Sequence, residues 1–247
     1  MRLSKTNPHP VAQFRAMVAR RNVLAVILFR PSGEVMSGSG FVIRRTEEAS
    51  IVVTSSHTLG IVSDEDVLRV RYPTFPTGVE EVAATILHQD PLLDVAILRV
   101  PGLTRLFPLR FAPQDTTVGE SVVAVGYCDP DDLLDGLAFT RLPAISPGLV
   151  RPEGIIYVDT YDDVDLYYVM LNCICLPGMS GGPVLSRYGV VGMVDSGGLV
   201  VDDVNDVYAK AIDPDTILGV LKAYLTSTDP ALDLSQSTME EVLQMMA

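Results

Sequence analysis

The sequence predicts an all-β chain of antiparallel barrels, on three observations. Short β-branched runs recur at close spacing, Gly and Pro clusters punctuate them, and helical periodicity is confined to the two ends. The length of 247 residues suits one two-barrel unit. In chain order, strands are predicted at Val23 to Phe29, Gly40 to Arg44, Ile51 to Thr54, Val67 to Arg71, Glu81 to Leu87 and Val95 to Val100. A boundary falls near Pro101 to Pro113, and a second set of strands begins with Val122 to Val125. No internal repeat or low-complexity segment interrupts them.

The ends read differently. Residues 1–22 form a basic leader or helix, with Arg2, Lys5, Arg15, Arg20 and Arg21 and no acid before Asn22. Val11, Phe14 and Val18 at helical spacing suggest an amphipathic helix packed on the acidic body, and an organelle transit segment is the alternative. Asp213 and Pro214 read as the N-cap and first position of a helix over 214–226, with Ile217, Leu218, Leu221, Tyr224 and Leu225 on one face. In the tail, 227–247, Ser237 with Glu240 predicts a capping box. It opens a short helix whose stripe is Met239, Val242, Leu243 and Met246. A helix that short is marginal alone, so the stripe either docks on the chain's own barrel or binds a second subunit or partner protein.

Composition excludes several classes. A net charge of −13 opposes nucleic-acid binding, because a phosphate backbone would be repelled. No apolar run approaches membrane-spanning length, and Val23 to Phe29 lacks a signal-peptide cleavage pattern. Three cysteines, Cys128, Cys173 and Cys175, make no disulfide framework, and the Cys-x-Cys pair places both thiols on one face of a strand. An intracellular setting is expected, cytoplasmic or nuclear, with a chloroplast or mitochondrial stroma as the alternative. No cofactor or metal is expected: in the Asp129, Asp131, Asp132, Asp135 cluster Leu133 takes a ligand position and no closing Glu follows, so it reads as a solvated turn.

Chemistry concentrates in Gly178-Met179-Ser180-Gly181-Gly182-Pro183, where a serine hydroxyl stands on a glycine turn able to face two backbone amides, those of Gly178 and Ser180, toward one point. His57 ends the β-branched run that begins at Ile51. Asp94 opens the apolar run Val95 to Val100, where a carboxylate needs a partner such as an imidazolium. His9 lies between prolines and His88 precedes a Gln-Asp-Pro turn, so neither has a setting that would fix a tautomer.

The order His57, Asp94, Ser180 resembles the chymotrypsin-fold serine proteases and differs from the orders of α/β-hydrolases and subtilisins. Gly38-Ser39-Gly40-Phe41, Asp94-Val95-Ala96-Ile97-Leu98, Val118-Gly119-Glu120-Ser121 and the Ser180 turn are similar to the HtrA/Deg branch, from about Val23 to Leu225. That resemblance implies two six-stranded barrels, about 23–105 and 113–212, within a protease domain at 23–226. It implies a serine endopeptidase acting on protein or peptide through His57, Asp94 and Ser180, with Gly178 and Ser180 as the oxyanion hole. Ile174 would lie near the floor of the primary pocket and Asp206 on its wall, while Asp195, Ser196 and Gly197 pair with substrate backbone. The chain departs from the branch in two ways: too few residues follow Leu225 for the PDZ domain typical of it, and Thr58 replaces a disulfide cysteine. Met179 stands where digestive proteases carry the aspartate of their zymogen switch, so such a switch is not expected. The alternative function is a catalytically weak protease fold serving as a protein-binding module.

Overall fold

A computed structural model describes residues 10–74, 78–128, 142–151, 159–161, 164–200 and 207–246. Asp206 and the Asp129 to Asp135 cluster lie outside them. Seven strands come first: β1 (Val23–Phe29), β2 (Val35–Arg45), β3 (Ala49–Ser55), β4 (Val67–Thr74), β5 (Gly78–Ala83), β6 (Thr85–Asp90) and β7 (Val95–Pro101). They pair antiparallel in the order β5-β4-β1-β2-β3-β7-β6. The stretch predicted as one strand at Glu81 to Leu87 is thus divided. Only Ala84 separates β5 from β6, yet β5 pairs with β4 and β6 with β7, at opposite edges of the sheet. One bent segment therefore joins both edges and closes a six-stranded barrel, which removes the unpaired edges an open sheet would carry.

The second sheet contains β8 (Ser121–Gly126), β9 (Ala144–Leu149), β12 (Tyr168–Leu171), β13 (Pro183–Leu185), β14 (Val190–Val200) and β15 (Val207–Ile212). Its order is β12-β15-β14-β13-β8-β9. A bridge between Val150 and Leu171, just past β9 and in β12, joins its ends as well. A short hairpin, β10 (Asp159–Tyr161) with β11 (Val164–Leu166), stands apart from both sheets. The chain between the barrels is clipped to β14 through Phe111 and Val190.

Strand alternation divides most of the core among three clusters, with a small fourth at Ala25, Ile27 and Tyr127, because successive side chains face opposite sides of a sheet. Leu24, Val26, Leu28, Val52, Ala96 and Leu98 fill barrel 1. Val122, Ala124, Leu171, Val184 and Ala209 fill barrel 2. The intervening residues, among them Ile51, Val53, Ile97, Val123, Val125 and Met193, meet between the barrels. Strands such as β3, buried along their whole length, are those with a core on each face.

Among the described residues three helices cover this central core: α1 (Pro10–Ala19), α2 (Pro214–Thr228) and α3 (Met239–Met245). For α2 the Asp213 side chain accepts from the Thr216 N–H, as the cap reading required. Two predictions for the ends need correction. The buried face of α1 is Ala12, Ala16 and Ala19, whereas Val11, Phe14 and Val18 face outward, Phe14 at 67% exposure. The alanines let the helix lie close on β8, β9 and β13, and the bulkier stripe is left outside. The tail helix starts one residue later than predicted: Thr238 is the N-cap and Glu241 completes its capping box, in place of Ser237 and Glu240. Its stripe packs on the chain itself, with Val242 and Met246 buried and Met239 and Leu243 against the central core.

Candidate active site

Strand register brings His57 to Asp94. β3 and β7 pair with Ser55 opposite Val95, so the residue opening the turn after β3 faces the residue preceding β7. That turn is a 3-10 helix over Ser56–Thr58. The His57 N–H donates to Asp94 Oδ1 and the ring Nδ1 lies 2.7 Å from Asp94 Oδ2, so one carboxylate holds both backbone and imidazole. The Asp94 side chain is 13% exposed and that of His57 is 49%, leaving the far edge of the ring open to solvent. Asp94 has φ 53, the left-handed region, and is the one non-glycine residue there among the described residues. Aspartate tolerates that conformation better than most, and such backbone strain concentrates at functional sites. Asp90 Oδ1 secures the turn by accepting from the Leu92 and Leu93 N–H groups.

Gln89 was missed by sequence reasoning. Its Nε2 donates to the Ser56 carbonyl, the Ser56 hydroxyl and the Gly60 carbonyl, clamping the turn that carries His57. Nothing in a lone glutamine on a strand signals that role.

Ser180 comes from barrel 2 and is fastened by barrel 1. The Ser39 N–H donates to the Ser180 carbonyl at 2.7 Å. The Ser39 hydroxyl donates to the Gly178 carbonyl and accepts from the Tyr127 N–H. Ser39 is thus a second residue the sequence reading quoted without assigning a role. Gly178 and Gly181 hold φ +91 and +83, and a Cβ on Gly181 would lie 2.0 Å from the Ser39 carbonyl oxygen. Only glycine fits where the two barrels interlock. Met179 is buried in barrel 2, the physical reason an apolar residue precedes the serine. The N–H groups of Gly178 and Ser180 have no protein acceptor among the described residues. The Ser180 hydroxyl itself donates to the Asp195 carbonyl at 2.9 Å rather than to the His57 ring.

The site is acidic. Its hydrogen bond to Asp94 raises the His57 pKa above 6.5, burial opposes this, and the charges of Asp94 and Asp195 add to it. One polar atom from each of His57, Asp94 and Asp195 lies within 4.8 Å of the other two. Burial pushes Asp195 up to about 6, with Asp94 beside it contributing. Cys173 and Cys175 are free, and burial pushes both thiols up to about 12, so neither offers a thiolate nucleophile.

Cys173 and Cys175 share the buried face of their segment, so Ile174 between them points outward, 62% exposed. Asp195, Ser196 and Gly197 lie along β14. A Cβ on Gly197 would sit 2.3 Å from the Cys175 carbonyl oxygen, so the two backbones lie in close contact there.

Two antiparallel barrels, with a His-Asp pair on one and a Gly-x-Ser-Gly-Gly turn on the other, are the arrangement of the trypsin-like fold. The chain belongs to the trypsin-like peptidase domain family, whose pattern it matches over residues 38–193. The serine protease Rv3671c of Mycobacterium tuberculosis is 32% identical over 176 residues, 69% of this chain and 38% of that protein. The Do-like HtrA serine protease of Bacillus subtilis is 24% identical over 212 residues, 84% of this chain and 44% of that one. This chain therefore spans about two fifths of the length of these curated relatives. Among solved structures, the active form of the Rv3671c protease superposes with TM-score 0.67 at 25% identity, covering 90% of this chain and 92% of that one.

Proposed function

We propose that the chain is a serine endopeptidase in which His57 takes the Ser180 proton as the hydroxyl attacks a peptide carbonyl. Asp94 holds the ring and stabilises the imidazolium, and the N–H groups of Gly178 and Ser180 receive the oxyanion. An acyl-enzyme forms on Ser180, the leaving amine takes the proton from His57, and water releases the acyl group. The observation that carries this reading is the double hold of Asp94 on His57, 2.7 Å at the backbone N–H and 2.7 Å at Nδ1, which fixes the tautomer a general base needs. A fluorophosphonate probe tests it. Labelling of Ser180 that disappears in Ser180→Ala and His57→Ala is expected, and a folded wild-type protein that ignores the probe overturns the reading.

One observation favours a second reading. The Ser180 hydroxyl is bonded to the Asp195 carbonyl and the Cys175 and Gly197 backbones are in contact, which suits a closed cleft serving as a protein-binding module. A folded wild-type protein that ignores the probe and cleaves no peptide would select it. Protein or peptide is the substrate class under the first reading, and Asp195, Ser196 and Gly197 would then pair with its backbone. Assembly through the tail helix has little support, since the stripe that would drive it is covered by the chain's own core. Among the described residues no helix is long and apolar enough to cross a membrane. The unpaired cysteines support a reducing compartment, while the Pseudomonas putida relative, 28% identical over 64% of this chain, is named as a probable periplasmic endoprotease.

A further inference from the structure

We propose that Asp195 is a positioning residue of this site, its carboxyl sharing one proton with the Asp94 carboxylate and thereby setting how Asp94 holds the His57 ring. The inference rests on the reading of His57, Asp94 and Ser180 as the peptidase machinery.

The geometry begins with a β-bulge. β14 and β15 pair Val194 with Ala211 and then Ser196 with Lys210, so Asp195 stands unpaired at the register shift. Bulges re-aim side chains, and this one brings an Asp195 carboxylate oxygen within 4.8 Å of both Asp94 and His57. The same residue accepts the Ser180 hydroxyl on its backbone carbonyl, so Asp195 touches the nucleophile with its main chain and the acid with its side chain. Register on the barrel 1 side is held by the Ser55 hydroxyl, which donates to the adjacent Val194 carbonyl at 3.2 Å.

Two carboxylates here face one imidazole. Among the described residues the charged groups facing Asp195 are Asp94, from the turn before β7, and His57, from the 3-10 turn; Ser196 and Ser180 are uncharged. Like charges this close cannot both ionise freely, so one carboxyl retains its proton to a higher pH. The donor count decides which. Asp94 accepts from the His57 N–H and faces the ring nitrogen, whereas Asp195 accepts from the Ser196 hydroxyl alone, at 3.1 Å. Asp195 is therefore the carboxyl that retains its proton to the higher pH, and while protonated it donates toward Asp94. When Asp195 releases that proton to solvent it becomes a second anion beside the ring, which favours the imidazolium and raises the basicity of His57.

The test is an NMR titration of the His57 ring nitrogens in wild type, Asp195→Asn and Asp195→Ala. The wild-type ring should titrate in two linked steps, one of them following Asp195. Asparagine keeps a donor toward Asp94 and removes the charge, so its ring should titrate in one step with a midpoint lower by about 0.5 to 1 pH unit. Alanine should lower the midpoint too and, leaving Asp94 without a polar neighbour on that side, should reduce kcat by roughly tenfold through a looser ring, whereas asparagine, which keeps a donor there, should lose less. An unchanged midpoint in the folded asparagine variant overturns the proposal, as does a single-step wild-type titration, which is decisive even if neither variant folds. The titration is readable whether or not the chain cleaves peptides, so failure of the peptidase reading shows separately as absence of probe labelling.

Discussion

Barrel 1 presents its part of the cleft as side chains locked by charge, whereas barrel 2 presents its part as backbone. His57 and Asp94 are joined by two short hydrogen bonds, and the Gln89 amide clamps the turn between them. On the other side Ser180 sits on a turn shaped by two positive-φ glycines, held through carbonyls that Ser39 engages, with its hydroxyl directed at a third carbonyl. The acid–base half is thus assembled in the resting chain. Under the proposed mechanism the nucleophile half needs a rotation of Ser180 away from the Asp195 carbonyl. Charged pairs tolerate little displacement, while a backbone turn can change state through a few dihedrals, so control of such a site belongs on the barrel 2 side.

The largest effect that would break this comparison is on the locked side. Asp94→Asn preserves shape but offers the imidazole the wrong tautomer, and kcat should fall about four orders of magnitude, the size seen for the corresponding change in the chymotrypsin-type triad. His57 loses its largest upward influence in that variant, so its pKa should drop below the wild-type value. The wild-type pH profile checks the sign. Because the His57 pKa is raised, activity should be lost as pH falls through a midpoint above 6.5, where the ring gains the proton it must lack to act as base. An acidic limb below 6.5 would contradict the locked pair.

Ser39→Ala sharpens the comparison from the other side. It removes the donor to the Gly178 carbonyl and leaves the Tyr127 N–H without its acceptor, at a cost of about 1 to 3 kcal/mol. With the turn loosened, kcat should fall roughly tenfold to a hundredfold while the His57 titration stays at its wild-type midpoint. A shifted midpoint would mean the two halves are not separable.

The smallest effect lies outside both halves. Val242, on the tail helix, is fully buried against the chain's own core, and Val242→Ala should cost about 1 to 3 kcal/mol. That corresponds to a Tm lower by about 2 to 4 °C per kcal/mol for a chain of this size, with kcat and light-scattering mass unchanged. A change in mass would restore the assembly role for the tail.

Local chemistry determined much of this protein from the sequence alone. The β-branched runs named the strands, because alternation against two cores leaves little else for Ile51 to Ser55 or Val95 to Val100 to do. Asp213-Pro214 named the start of α2, and the glycine turn marked Ser180 as the candidate nucleophile, since caps and positive-φ turns depend on residues adjacent in the chain. What only the tertiary structure decided is which distant groups meet. The split at Ala84 that closes barrel 1, the choice of the alanine face of α1, the outward turn of Ile174, and the reach of Ser39 across 139 residues to Gly178 follow from packing between elements. Asp195 is the clearest case: its sequence shows an acid in an apolar strand, but its character comes from a bulge that sets its carboxyl beside Asp94, and desolvation with like-charge repulsion exist only once both are folded into the same few ångströms.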